Sequence, residues 1–209
     1  MSPGDLFDPD SDDTEDLLMA ATYRALCEHG YADLTIERIG AEFEKSNSLL
    51  YHHYDGKDDL LVGFLEYVLD RFEADVPSER TGDPWADMLD LLDHGLAPGI
   101  EAERREFVSA MIELRAQAAH DPAYREAFTR HDRFFRERLA SDIREGIESG
   151  DFRDVDADRV ARLVHTMFTG AMTRRVTADS DDGVSPLEGV REEFEAMLAA
   201  RLLPEGEDE

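Results

Sequence analysis

Asn47, Ser48, Tyr51 and His52 share one face of a short segment if it is helical, with side chains turning by about 100° per residue, and Leu50 and Tyr54 fall opposite. An amide, a hydroxyl, a phenol and an imidazole in that array exchange hydrogen bonds with phosphate oxygens and base edges. The only two lysines of the chain, Lys45 and Lys57, flank the segment. An ammonium is a compact point charge suited to a phosphate. A protein of formal net charge -28 that places both lysines here points to a helix-turn-helix reader of DNA.

Such a face works only if neighbouring helices hold it. Thr35 caps a second helix that buries Ile36, Ile39 and Phe43, and Ser46 caps the third. Asp55 and Lys57 open a long fourth helix through Leu60, Leu61, Phe64, Tyr67, Val68 and Phe72. Ahead of them, Asp13 or Thr14 starts a first helix whose Leu18, Ala21 and Ala25 recur at three and four, and Gly30 is expected to stop it. Beyond a linker at 76–84 the pattern predicts five more helices, over 84–96, 101–120, up to Gly150, 156–176 and 186–203. The eighth is expected to bury Val160, Leu163, Val164, Met167 and Ala171; the ninth carries Val190, Phe194 and Met197 on one stripe. Strand-like alternation and internal repeats are lacking. The expected fold is all-α with about nine helices: a disordered acidic tail at 1–12, a helix-turn-helix domain at 13–57 and a larger helical region at 58–209.

With 209 residues, 42% of them hydrophobic, the chain has ample material for a buried core. Cys27 is its single cysteine, which excludes an internal disulfide and fits a reducing compartment. No signal peptide or long apolar run is present, so a cytoplasmic protein without membrane contact is expected. Acidic residues number 50 against 22 basic ones, a composition that resembles the proteins of salt-loving archaea. At about 1 M salt the Debye length falls to roughly 3 Å, which screens distant repulsion from DNA and also weakens counterion-release attraction. Recognition then leans on close contacts. Between Thr35 and Lys57, Glu37, Glu42, Glu44 and Asp55 face Arg38, Lys45 and Lys57, so the segment is nearly neutral.

Thr35, Ile39-Gly40, Ser46, Asn47-Ser48, Leu50-Tyr51, His52, His53-Tyr54 and Lys57, in that order, resemble the N-terminal domain of the TetR family of transcriptional regulators. The resemblance implies phosphate contacts by Thr35, Tyr51, His53 and Lys57, with Lys45, Asn47, Ser48 and His52 nearest the bases. It departs at Phe43-Glu44-Lys45, where the family has Ala-Gly-Val, and at Leu49, which replaces a small hydroxyl. Glu44 lacks glycine's freedom at positive φ. Over 58–209 the likeness lies in the order and length of helices, and implies a ligand-binding and dimerising domain. There the last two helices would pair across a homodimer, on a pseudo-palindromic operator. Phe107, Met111, Gln117, Phe134, Phe135, Met167 and Phe168 combine aromatic, thioether and amide groups in the helices that would line a pocket for an inducer of unknown identity.

Other readings are weaker. His52 and His53 point about 100° apart on a helix, with no cysteine or third histidine near in sequence, which argues against a metal site. Glu113 reads as solvated surface. A Gly-rich phosphate loop, a nucleophile elbow and HExxH are all lacking, so no catalytic residues, cofactor or enzymatic activity are expected. The alternative is an acidic all-α adaptor that binds a protein partner without recognising DNA.

Overall fold

The computed structural model describes Phe7, residues 13–43, 50–75, 82–96 and 102–179, Ser185 and residues 187–204. Lys45, Asn47 and Ser48 lie outside the described residues. Among the described residues nine helices follow in order: α1 (Thr14–Asp33), α2 (Ile36–Glu42), α3 (Leu50–His53), α4 (Lys57–Asp75), α5 (Pro84–Leu96), α6 (Ala102–Gln117), α7 (Pro122–Ser149), α8 (Ala157–Thr177) and α9 (Val190–Leu202). The described residues form no strand, in line with the expected all-α class. They pack as two compact units, one from 1–76 with 101–131 and the other from 77–100 with 132–209.

Capping fixes several starts. Asp13 accepts the N–H of Glu15 at 2.8 Å, and Asp156 accepts that of Arg159 at 3.0 Å, each filling an orphan donor of a first turn. Gly30 does interrupt α1, with φ of 67°, but the chain re-enters a helical turn through Asp33. The positive φ is open to glycine without steric cost.

In the first unit, Leu18, Met19, Ala21, Ala25 and Leu26 of α1 meet Ile39 of α2, Leu50 of α3, and Leu60, Leu61, Phe64, Leu65 and Val68 of α4. Phe107, Ala110 and Leu114 of α6 and Tyr124 and Phe128 of α7 complete that core. Each fully buried Leu or Phe contributes about 1.5–3 kcal/mol. Phe7 departs from the expected disordered tail. It is buried, stacked 5.1 Å from Tyr23 and within 6.3 Å of Phe64 and Tyr67. Ring stacking over three neighbours outweighs the cost of ordering that position.

In the second unit, Leu139 and Ile143 of α7, Val160 and Val164 of α8, and Phe194, Leu198 and Leu202 of α9 surround Phe152. Phe152 follows Gly150, whose φ is 87°, and its N–H returns to the Gly146 carbonyl at 2.8 Å. Its ring stands edge-on to Trp85 at 6.4 Å. Leu163 corrects the expected stripe of α8: it is 48% exposed, while Ala157, Val160, Ala161, Val164, Ala171 and Arg175 turn inward. The outward side of α8 carries Arg159, Leu163, Thr166, Gly170, Arg174 and Thr177. Along the same helix Thr166, Thr169, Thr173 and Thr177 each donate their hydroxyl to the carbonyl four residues back, at 2.8–3.0 Å.

Candidate nucleic-acid interface

Thr35 sits in extended backbone just ahead of α2, and its Oγ1 accepts from the N–H of Arg38 at 3.3 Å. That cap starts α2 with Ile39 fully buried and Glu37 and Arg38 exposed. Across the turn, Leu50 is fully buried while Tyr51, His52 and His53 are exposed, Tyr51 to 58%. One apolar side chain thus seats α3 and leaves three consecutive polar rings outside. The rings of His52 and His53 stand edge to face at 5.2 Å. Tyr54 closes the segment, half-buried against Gly63 of α4, where an added Cβ would lie 3.1 Å from Tyr54 Cε1.

Tyr51 donates its hydroxyl to Glu37 Oε1 at 3.3 Å. Partial desolvation and the Glu37 charge push the Tyr51 phenol above its ordinary value. The Glu37 carboxyl lies below the usual carboxylate range because its own N–H, the Thr35 hydroxyl and the Tyr51 hydroxyl donate to it. Lys57 opens α4. Its Nζ donates to the Tyr31 carbonyl at 3.0 Å and lies 4.3 Å over the Tyr31 ring, a geometry that holds an otherwise flexible ammonium in place.

Thr35 and Lys57 thus stand at the starts of α2 and α4, and Tyr51, His52 and His53 are exposed on α3, all within the first unit. The contacts of Glu37 with Tyr51, of Tyr31 with Lys57 and of Glu113 with Tyr31 were not anticipated from sequence. Glu113 is no idle surface group, because its Oε2 accepts the Tyr31 N–H at 2.5 Å. Only the position of Glu37, two residues after the capping Thr35, hints at its role.

The residues expected to line an inducer pocket divide between the units. Phe107 is buried 5.9 Å from Tyr23 and 5.5 Å from Phe72, Met111 packs against the same core, and the Gln117 amide donates to the Glu113 carbonyl at 3.2 Å. In the second unit Phe134 and Phe135 stand edge to face at 5.4 Å, Phe168 lies 6.3 Å from Phe194, and Met167 packs on that core. An open cleft of about 560 Å³ beside Tyr54 and Tyr67, and another of about 310 Å³ beside Arg144 and Asp156, include none of the seven. Among the described residues no three His, Cys, Asp or Glu side chains are grouped to hold a metal, and no helix is long and apolar enough to cross a membrane.

Residues 18–63 match the sequence model of bacterial regulatory proteins of the tetR family, and residues 86–203 match that of the BetI-type transcriptional repressor C-terminal domain. The chain belongs to the TetR family. A TetR transcription regulator from Haloarcula marismortui is 40% identical, with a TM-score of 0.80 over 92% of this chain and 100% of that one. A transcriptional regulator from Saccharomonospora viridis, crystallised in complex with choline, shares the fold at 22% identity, with a TM-score of 0.75 over 93% of this chain and all of its own. The repressor AcnR of Corynebacterium glutamicum is 23% identical over 80% of this chain and 85% of its own length. As a TetR-family protein the chain is a DNA-binding transcriptional regulator and not an enzyme.

Proposed function

We propose that this TetR-family chain is a homodimeric repressor that holds a pseudo-palindromic operator and releases it when a small organic cation of the choline class binds its second unit. The observation that carries the reading is α3: buried Leu50 seats a helix whose Tyr51, His52 and His53 face outward. Thr35, Tyr51, His53 and Lys57 would touch phosphates, and Lys45, Asn47, Ser48 and His52 the base edges. Two such heads about one DNA turn apart require a two-fold partner, and α8 and α9 are the proposed pairing helices, with Leu163 exposed on α8.

For the ligand, the support is twofold. The Saccharomonospora viridis neighbour binds choline, and Phe134, Phe135 and Phe168 supply the aromatic faces on which quaternary ammonium groups rest. Met167 adds a polarisable contact. Phe107, Met111 and Gln117 belong to the other unit, where Phe107 already fills core. The acidic surface suits work in molar salt.

The test selects bound fragments from random DNA in molar KCl, then titrates the winner with the native chain and with Tyr51→Ala, in the presence and absence of choline. Expected are one palindromic site, a weakened Tyr51→Ala and choline-driven release, with Leu163→Glu yielding a monomer by light scattering. A native chain that enriches no sequence, or that Tyr51→Ala matches, overturns the DNA contacts; a fragment retained unchanged at saturating choline overturns the ligand class.

A further inference from the structure

Tyr31 is gripped from two sides. Gly30, at φ of 67°, breaks α1 just before it, so the Tyr31 N–H must find an acceptor other than its regular helical one. Glu113 of α6, distant in sequence by 82 residues, supplies it at 2.5 Å, with Oε2 lying 3.4 Å from where a Gly30 Cβ would stand. On the far side the Tyr31 carbonyl and ring hold the Lys57 ammonium at 3.0 Å and 4.3 Å, and the Tyr31 hydroxyl donates to Asp58 Oδ1 at 2.9 Å. All five residues belong to the first unit. We infer that Glu113 is a positioning residue for the Lys57 phosphate contact, acting through the main chain of Tyr31.

The inference rests on the proposed role of Lys57 at phosphate. An ammonium has three protons; one goes to Tyr31 and leaves two for phosphate oxygens. The Tyr31 carbonyl and ring fix the four-carbon stem before DNA arrives, and Glu113 fixes Tyr31. Simple charge repulsion makes the opposite forecast, since removing a carboxylate from an acidic DNA-binding unit should tighten binding. The two effects therefore separate by sign.

The test uses the full chain and a fragment selected from random DNA, titrated by fluorescence anisotropy across a KCl series. Glu113→Gln and Glu113→Ala lose the same charge, but only the former keeps an acceptor for Tyr31. Glu113→Ala is expected to bind about fivefold more weakly than Glu113→Gln, the worth of one hydrogen bond, with a salt slope shallower by about 1. In a Lys57→Gln background the gap should vanish. Equal binding by the two Glu113 variants, or a gap that persists without Lys57, overturns the inference. Lys57→Gln with native affinity and slope would instead overturn the phosphate contact itself. If Glu113→Ala melts early, Glu113→Asp keeps the charge and withdraws the acceptor by one methylene; binding equal to native would then be the overturning result.

Discussion

The Tyr51 hydroxyl donates to Glu37 Oε1 across 3.3 Å and ties the outward face of α3 to α2. A carboxylate thus stands on the surface proposed to meet phosphates, holding a hydroxyl that DNA must claim. If Tyr51 takes a phosphate as proposed, it gives up Glu37, and Glu37 is left beside a like charge.

Glu37→Gln should therefore strengthen DNA binding. Removing a like charge from beside a phosphate should bring a gain in affinity of about fivefold at the lowest KCl at which the protein folds. Screening should shrink it in molar KCl. An anisotropy titration at both salts measures this, and a loss of affinity would show that Glu37 positions Tyr51 more than it repels DNA.

Phe7 closes the first unit through its stacks on Tyr23, Phe64 and Tyr67. Phe7→Ala should lower the stability of that unit by about 3 kcal/mol, the usual cost of emptying a buried ring. Deleting residues 1–12 should do the same. Denaturant unfolding of both variants in molar KCl is the check, and native midpoints would mean the ring contributes nothing.

Gly146 leaves no room for a methyl group: an added Cβ would approach Phe152 Cε2 to 2.6 Å and its Cδ2 more closely still. Phe152 is buried against Trp85 and cannot easily yield. Gly146→Ala should destabilise the second unit by about 1–3 kcal/mol through overpacking. Trp85 is the only tryptophan, so its fluorescence reports unfolding of this unit directly.

Alkaline pH should loosen the first unit. Burial, then Asp58, push Tyr31 from 10.0 to about 12, and burial also raises Tyr67 and Tyr124. The folded state favours the neutral phenols, so their stabilisation is complete below about pH 10 and is lost as pH rises toward 12. Tyrosinate absorbance should rise together with loss of helix in that window. Cys27 follows the same logic, its thiol pushed to about 11 chiefly by burial; alkylation at pH 9 should lag far behind that of a free thiol until the chain unfolds.

The fold was legible because apolar spacing of three and four residues marks a helix whatever the tertiary context. Ile39, Leu50, Phe64 and Phe194 are all buried where that spacing put them, and Asp13, Thr35 and Asp156 cap where side-chain chemistry required. Leu163 was misplaced because the stripe of α8 admits two neighbouring solutions. Ala157, Ala161 and Arg175 turn it toward the one that leaves Leu163 outside. Phe7 has no periodic neighbours in an acidic stretch, so only tertiary packing reveals it. The Glu113–Tyr31 bond joins residues far apart in sequence and the Tyr51–Glu37 bond joins separate helices; pattern reading within one helix reaches neither.

A hydropathy scale scores the four threonines of α8 as thirsty. Their protons are already committed to carbonyls one turn back, and the hydroxyls stay turned to their own backbone. If a second copy settles there as proposed, no threonine donor needs a new acceptor across the seam. Were α8 to pair as proposed, the guanidiniums of Arg159 and Arg174, exposed on the same side of the helix, would be left to set the register of the seam.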